Sequence, residues 1–232
     1  MQADQFADLK SVFADFEHFG VPDTAAGIHP TNCIFYRRDG FTKVTAGCYW
    51  LSETPHIAGS KSWDSGYVRL VNWIRLIDNE TGTEFRIVNT HLDNESQRAR
   101  EQQARLIVED SCAYPKNYPQ ILAGDMNCDA GNPAIQIFKA GGWNDTYEIV
   151  HRTEEPGFTY HEFLGPNCKS ALGKIDWIFV RGEVKVLGAG IVSDSPAGRW
   201  PSDHYFVSAT LSNKAIIERE QPLCRRGSSS SL

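Results

Sequence analysis

Apolar residues along this 232-residue chain recur at two spacings, and each spacing predicts a different kind of element. An amphipathic helix is predicted over residues 2–18, where large apolar side chains recur every three or four positions. The same spacing predicts helices over residues 96–112 and 133–140. Other segments show a different pattern, so the chain is not all-helical.

Short segments that are apolar throughout, or apolar at alternate positions, predict strands. Residues 68–76 are partly apolar on both faces, and residues 121–123 are wholly apolar, which is typical of a strand at a sheet centre. The predicted strands are 33–36, 43–49, 68–76, 84–90, 120–124, 175–180 and 205–211. Strands that alternate with helices predict an α/β fold, in which some strands adjoin without a helix between them.

Composition and charge narrow the class of protein. The chain is 41% hydrophobic and 22% charged, which is ordinary for a globular protein and excludes a disordered or fibrous one. Its 23 Lys and Arg against 29 Asp and Glu give 23 − 29 = −6, which argues against binding nucleic acid by charge alone. No apolar run approaches about 20 residues and no signal peptide follows Met1, so we expect no membrane span and a cytoplasmic protein.

Four short polar motifs stand at predicted strand ends, where α/β sheets place their binding sites. Each alone has a structural interpretation: His91 as a solvated or capping side chain, Asp125 in a turn, and Asp176 paired with a neighbouring cation. The last motif can equally cap a strand. In chain order the motifs are NTHLD at 89–93, GDMN at 124–127, KIDWI at 174–178 and SDH at 202–204.

Taken together, the motifs supply the residue types that hydrolysis of a phosphoester requires. A phosphate repels nucleophiles through its negative charge, which a hard divalent cation neutralises. Asp125, Asn127 and Asp203 are oxygen donors suited to Mg²⁺, with Mn²⁺ as the alternative ion. A carboxylate or histidine must also take a proton from the attacking water, and Asp176 can hold His204 in one tautomer.

Extended to THLD, GDMN, KIDWIFV and PSDHY, the motifs resemble those of the endonuclease/exonuclease/phosphatase superfamily in order and spacing. The resemblance covers about residues 5–211, and the segments IFYRRD, YWLSETP and TYHEF resemble a branch close to the nocturnin-like deadenylases. It implies an α/β four-layer sandwich of two mixed β-sheets flanked by helices. Residues 1–212 would form this domain, and residues 213–232 a flexible C-terminal tail.

The resemblance also implies roles for individual residues. Asp125 would orient or deprotonate the attacking water, Asn127 would position it or the phosphate, and Asp176 would hold His204 against the scissile phosphate. The implied site residues are His91, Asp125, Asn127, Asp176 and His204 as catalytic groups, Asp203, Asp125 and Asn127 as metal ligands, and Tyr36, Arg69 and His161 as substrate contacts.

One part of the family pattern has no counterpart in the chain. The resemblance implies two further strands before the first helix, the second of which ends in a Gln-Glu pair whose glutamate is a principal metal ligand. The chain offers Gln2 and Ala3 at that position. We therefore expect a domain truncated at its N-terminus, and the activity of this chain is left open.

Three functions are compatible with these residues. The leading hypothesis is a Mg²⁺-dependent phosphodiester hydrolase, a 3′–5′ exonuclease-like nuclease that acts as a monomer on nucleic acid. The second is a lipid or small-molecule phosphoesterase with the same chemistry. The third is an inactive truncated form that only binds its partner. The catalytic motifs are common to the superfamily and do not decide among substrates.

Overall fold

The computed structural model describes residues 3–27, 30–153, 156–169 and 172–212. Within these ranges the strands are β1 (Phe16–Phe19), β2 (Ile34–Arg37), β3 (Phe41–Trp50), β4 (Leu70–Asp78), β5 (Glu84–His91), β6 (Gln120–Asp125), β7 (Asn144–Asp145), β8 (Asp176–Arg181), β9 (Lys185–Val192) and β10 (Phe206–Ser212). The α-helices are α1 (Ala3–Val12), α2 (Gln97–Cys112), α3 (Pro133–Ala140) and α4 (Thr146–His151), and 3₁₀ turns occupy Gly165–Asn167 and Pro196–Gly198.

The central layer is a six-stranded sheet with the order β3–β4–β5–β6–β8–β7. Strands β5 and β6 run parallel, because α2 carries the chain back between them, and the other neighbours pair antiparallel. The sheet is therefore mixed. Because β5 and β6 are parallel, their C-terminal ends lie side by side at one edge of the sheet.

Helices α2 and α3 cover one face of this sheet. Leu122 and Phe179 from the sheet pack with Ile107 of α2 and Phe138 of α3 in one buried apolar cluster. Local sequence fixes where the helices begin: the Ser96 side chain accepts a hydrogen bond from the N–H of Ala99, and α3 starts with a proline after an asparagine cap. Their packing leaves the polar edge of β5 and β6 open.

The opposite face of the sheet carries two antiparallel strand pairs, β1–β2 and β9–β10. Ile34 and Tyr36 of β2 pack on Ile74 and Phe85 in a second buried cluster. Helix α1 lies outside β1 and β2, where its Phe6 ring is 6.2 Å from that of Phe35. Helices α2 and α3, the central sheet, the two strand pairs and helix α1 thus follow one another as layers. This arrangement confirms the predicted α/β sandwich with flanking helices.

The second layer differs from the predicted second mixed sheet. Among the described residues it consists of two separate pairs, and both are antiparallel. Parallel pairing needs a crossover, usually a helix. The connections at residues 20–33 and 193–205 contain no α-helix in the portions that the structure describes, so each strand returns beside its predecessor in the opposite direction.

The predicted helix over residues 2–18 is wrong in its second half. Helix α1 ends at Val12, and Phe16–Phe19 form β1, which pairs with β2. The segment from Phe13 to Phe19 contains aromatic residues at positions that fit both a helical and a strand spacing. Pairing with β2 satisfies the backbone groups of β1, and this tertiary contact decides the outcome.

Besides β1, the strands β7 and β9 and the helix α4 had no counterpart in the prediction. Strand β9 contains two glycines and lacks a regular alternation of apolar and polar residues. Helix α4 has only six residues, and its start is fixed by Asp145, whose carboxylate accepts from the N–H groups of Tyr147 and Glu148. In contrast, α3 has the predicted bounds, and α2 begins one residue later than predicted.

The predicted flexible tail at residues 213–232 lies outside the described residues. Across the described ranges, the structure contains no helix with the length and apolarity needed to cross a membrane.

Candidate active site

Three of the predicted catalytic residues form a row across the edge of the central sheet. His91 ends β5, Asp125 ends β6 and Asp176 begins β8, and the strand register pairs His91 with Asp125 and Asp125 with Asp176. Neighbouring strands lie about 4.8 Å apart, so the three side chains are held close together by the backbone itself. The Nε2 of His91 is 3.2 Å from the Oδ2 of Asp125.

His204 completes this group from the loop before β10. Its Nδ1 lies 2.8 Å from Oδ2 of Asp176. An ionised carboxylate only accepts hydrogen bonds, so Nδ1 carries the proton in this pair and Nε2 is left for other contacts. Residue 204 also forms a β-bridge with Tyr160, which ties its loop to a neighbouring segment. The predicted pairing of Asp176 with His204 is therefore present in the structure.

Opposing effects set the ionisation of the group. Burial raises the pKa of Asp125, but hydrogen bonds from His91 and from the N–H of Asn127, with the charge of His204, bring that pKa below its usual value. Burial lowers the pKa of His204, but the hydrogen bond and charge of Asp176 outweigh it and raise that pKa. The arrangement therefore favours an ionised carboxylate next to a protonated imidazole.

The local backbone explains the GDMN motif. Gly124 has a φ of +148°, and a Cβ atom at this residue would lie 1.9 Å from the carbonyl oxygen of Thr90. Asn127 has a φ of +50°, in the left-handed region that asparagine tolerates better than most residues. Its backbone N–H donates to Asp125 Oδ1 at 2.7 Å. The glycine allows β6 to approach β5 closely, and the turn that follows orients the Asp125 carboxylate.

Thr159 joins the two loops that carry Asp176 and His204. Its buried hydroxyl oxygen accepts hydrogen bonds from the N–H groups of Ile175 and Asp176, at 3.0 and 3.2 Å. Its carbonyl oxygen accepts from the N–H of Tyr205 at 2.8 Å. One residue therefore fixes the backbone beside both members of the Asp176–His204 pair.

This group of four side chains opens on two cavities, of about 430 and 650 Å³. His91, Asp125 and His204 line both of them, and Asp176 lines the smaller. The larger cavity continues past Asn127. A substrate thus has access to the carboxylates and imidazoles from the surface.

The donor set suits a divalent cation. Three ligand atoms, one each from Asp125, Asp176 and His204, lie within 4.8 Å of one another. The two carboxylates suit Mg²⁺ and Mn²⁺, with water completing the coordination. The group therefore fits a metal ion on chemical grounds, with Asp125 and Asp176 as the residues that would hold it.

The remaining predicted metal and water ligands lie beside this group. Asn127 lines the larger cavity, and one N–H of its Nδ2 donates to the carbonyl oxygen of Leu92 at 2.9 Å, which leaves its side-chain oxygen and the second N–H for a ligand. The Asp203 carboxylate is 3.4 Å from the hydroxyl of Ser202 and stands outside the close group of Asp125, Asp176 and His204. Metal binding by Asp203 stays a prediction.

The three predicted substrate contacts lie in different surroundings. Arg69 lines the larger cavity. Tyr36 is instead buried in the second apolar cluster on β2, because the alternation of the strand points it inward with Ile34. His161 is fully buried against the rings of Trp200 and Tyr205, with its Nδ1 accepting from the N–H of Gly165. The structure therefore brings Arg69, but neither Tyr36 nor His161, to the walls of these two cavities.

Several residues of the larger cavity were not predicted as site residues. They reach it from loops and from α2, whose surface positions show no pattern that separates a cavity wall from a solvated face. Tyr160 and Ile175 were the most accessible to prediction, since they lie in the TYHEF segment and the KIDWI motif. The unpredicted wall residues are Tyr67, Asn94, Arg100, Tyr160, Leu172 and Ile175.

A model of the endonuclease/exonuclease/phosphatase family matches residues 10–204, which include every residue of the site. The chain belongs to this family. The family comprises hydrolases that act on phosphoesters. No functionally curated protein matches the chain in sequence.

Solved structures of family members support this assignment. A Bacteroides vulgatus family protein is 28% identical, with a TM-score of 0.80, over 90% of this chain and 80% of its own. The Bacteroides thetaiotaomicron mannosyl-6-phosphatase is 30% identical, with a TM-score of 0.79, over 90% of this chain and 81% of its own. The human nocturnin catalytic domain, at 20% identity over 90% of this chain and 77% of its own, shares the fold with a TM-score of 0.63.

Proposed function

We propose that this family member is a divalent-metal-dependent phosphoester hydrolase, with Mg²⁺ as the ion and Mn²⁺ as the alternative. The observation that carries the proposal is the row of His91, Asp125 and Asp176 across three strands, completed by His204 and open to a cavity. Such a set combines carboxylates for a cation with imidazoles that can contact a phosphate.

Asp125 is the residue best placed to receive a proton from the attacking water. Its two oxygens are oriented by His91 on one side and by the N–H of Asn127 on the other. Both contacts stabilise the ionised carboxylate, and carboxylate oxygens retain further acceptor positions after one hydrogen bond each. A water in the cavity beside Asp125 would be held with its proton directed at the carboxylate.

His204 is the residue best placed to contact the phosphate. Asp176 holds its Nδ1, and a protonated ring would direct Nε2–H into the cavity as a charged donor to a phosphate oxygen or to the leaving oxygen. A divalent ion bound by Asp125 and Asp176 would neutralise phosphate charge. The side chains of the protein would orient the water and the phosphate and would hold the transferring protons at Asp125 and His204.

For the substrate, we propose a small phosphomonoester with a polar, hydroxyl-bearing leaving group. A relative that is 30% identical is a mannosyl-6-phosphatase, and the net charge of −6 does not suit a long polyanion. The nuclease hypothesis, with a phosphodiester in nucleic acid as substrate, is the alternative. Structural relatives of this chain such as the nocturnin catalytic domain are too distant in sequence to support more than a shared fold.

The test is hydrolysis by the metal-stripped protein before and after addition of Mg²⁺ or Mn²⁺. Four substrates separate the classes: p-nitrophenyl phosphate, hexose 6-phosphate, bis-p-nitrophenyl phosphate and an end-labelled oligonucleotide. We expect hydrolysis of the monoesters that returns only with metal. We expect Asp125→Asn to reduce kcat by about 10²- to 10⁴-fold.

The matched control is Asp194→Asn, an exposed aspartate outside both catalytic cavities, which should keep wild-type activity. Preferential cleavage of the oligonucleotide would favour the nuclease alternative. If the folded protein hydrolysed none of the four substrates with either ion, the proposed function would be wrong.

A further inference from the structure

The larger cavity extends well beyond the space that the reacting phosphate needs. It has a volume of about 650 Å³ and shares His91, Asp125 and His204 with the smaller cavity. Its walls also include the two arginines Arg69 and Arg100. A part of the substrate that occupies this cavity beside the reacting phosphate would therefore meet two guanidinium groups.

Arg69 is paired with Asp93 through charge, but it donates no hydrogen bond to that carboxylate. Its side chain is only 11% exposed, and its Nη2 donates to the side-chain oxygen of Asn94 at 3.1 Å. Its buried Nε has no hydrogen-bond partner within the described part of the chain and lies 3.8 Å from Asp93 Oδ1. This separation is too long for a hydrogen bond.

Asp93 does not satisfy Arg69, because other donors already occupy its carboxylate. The Ser65 hydroxyl and the N–H of Tyr67 bind Oδ1, at 2.9 and 3.2 Å. The N–H groups of Glu95 and Ser96 bind Oδ2, at 3.1 and 2.8 Å. With four donors and no exposed surface, Asp93 orders the loop and leaves the guanidinium of Arg69 with unused donors.

Electrostatics agree with this geometry. Burial lowers the pKa of Arg69, and the charges of Asp93 and Asp125 only partly offset that effect. The hydrogen bonds of Arg100 go to uncharged oxygens, the backbone carbonyl of Asp93 and the side-chain amide of Gln97. Two cationic groups thus line one cavity, and in the described part of the chain neither donates a hydrogen bond to a carboxylate.

We propose that this cavity binds a second anionic group of the substrate, with Arg69 as the main contact and Arg100 as the second. The proposal rests on the proposed phosphoester hydrolysis and specifies its substrate class: a phosphoester that carries another phosphate near the one that reacts. A hexose bisphosphate and a short 5′-phosphorylated nucleotide both have this chemistry. A planar guanidinium with free donors suits a phosphate better than a single hydroxyl.

The test compares kcat/KM for matched substrates with and without the second phosphate. One pair is hexose 1,6-bisphosphate and hexose 6-phosphate, and the other is thymidine 3′,5′-bisphosphate and thymidine 5′-phosphate. A charge-assisted hydrogen bond is stronger than a neutral one, so we expect the second phosphate to raise kcat/KM by about tenfold or more. The pair with the larger ratio identifies the source of the anion.

In Arg69→Gln this ratio should fall towards one, and in Arg100→Gln it should fall by a smaller factor. Arg69→Lys keeps the charge and should retain part of the ratio, which controls for a loss of folding. The matched control is Arg98→Gln on the exposed side of α2, where the arginine side chain is 68% exposed. An unchanged ratio in Arg69→Gln would contradict the proposal.

A binding measurement separates this proposal from the proposed function. Calorimetry with inorganic phosphate and with pyrophosphate needs no turnover. We expect pyrophosphate to bind about tenfold tighter than phosphate to the wild type, and this preference to vanish in Arg69→Gln. If pyrophosphate bound more tightly than phosphate but no substrate were hydrolysed, the anion site would stand and the proposed hydrolase function would be wrong. If substrates were hydrolysed but pyrophosphate bound no more tightly than phosphate, the hydrolase function would stand and the anion site would be wrong.

Discussion

Strands β5 and β6 carry charged groups at both ends, and the two ends differ in what surrounds those groups. At the N-terminal end, Arg86 is fully buried, donates to Asp110 of α2 at 2.6 Å and lies near Gln120 at 3.4 Å. The rings of Trp73 and Tyr114 are 5.0 and 4.6 Å from its guanidinium carbon. This network is closed by aromatic side chains and by α2.

At the C-terminal end of the same strands, the polar groups remain accessible. The side chains of His91 and His204 are 40% and 22% exposed and face cavities. Each carboxylate there is oriented by a neighbour but keeps acceptor capacity for a ligand. The comparison shows that clustered charge does not identify a site. A site also needs donors and acceptors that the protein leaves unused and open to solvent.

The largest expected effect is a loss of activity on substitution at the open, C-terminal end of these strands. His204→Ala removes the only group that Asp176 orients towards the cavity, among the contacts that the structure describes, so kcat should fall by about 10²- to 10⁴-fold. Steady-state kinetics with Mg²⁺ and thermal unfolding are the measurements. A histidine outside this group, His151→Ala on α4, provides the control. Equal losses of activity in both variants would contradict the assignment.

The next effect concerns stability at the closed end. Arg86→Met leaves Asp110 without its buried partner and should lower the free energy of unfolding by about 3 kcal/mol. The kcat of the folded fraction should stay at the wild-type value. Chemical denaturation and kinetics on the same sample test both statements. Arg75→Met, which loses a partly exposed pair with Glu84, should cost less than about 1 kcal/mol.

At the open end, a substitution at Thr159 should have a smaller effect, lowering both stability and activity. Thr159→Val removes the acceptor for the N–H groups of Ile175 and Asp176, which should cost about 2 kcal/mol of stability. It should also lower kcat about tenfold by loosening the Asp176–His204 pair. Thr159→Ser keeps the acceptor and should restore kcat. If serine failed to restore it while stability recovered, the hydroxyl would not act by positioning this pair.

The smallest effect is a pH dependence at Asp93. Burial raises the pKa of Asp93, but hydrogen bonds from Ser96 and the 65–67 turn bring it below the usual value. Its contribution to stability is therefore fully present above about pH 4 and is lost as the pH falls through the lower folded-state pKa. Asp93→Asn should cost about 1–3 kcal/mol at pH 7 and less at pH 3. A cost independent of pH would contradict this account.

Elements with strong local signals could be predicted from the sequence. Helix α3 has a cap, an initial proline and regular apolar spacing, so its bounds were predicted correctly. Strand β9 and the second half of the predicted first helix have ambiguous spacing, and their structure depends on pairing with distant strands. The same limit applies to Tyr36, because its strand position did not reveal which cluster it would enter.

The site shows this division most clearly. The sequence alone determined the kinds of chemistry present, since Asp125, Asp176 and His204 stand at strand ends within short polar motifs. Only the tertiary structure decided that β8 runs antiparallel to β6, which brings the start of one beside the end of the other. It also decided that Arg69 faces the cavity while His161 is buried. Strand register and side-chain access depend on contacts between residues far apart in the chain, and local patterns do not record them.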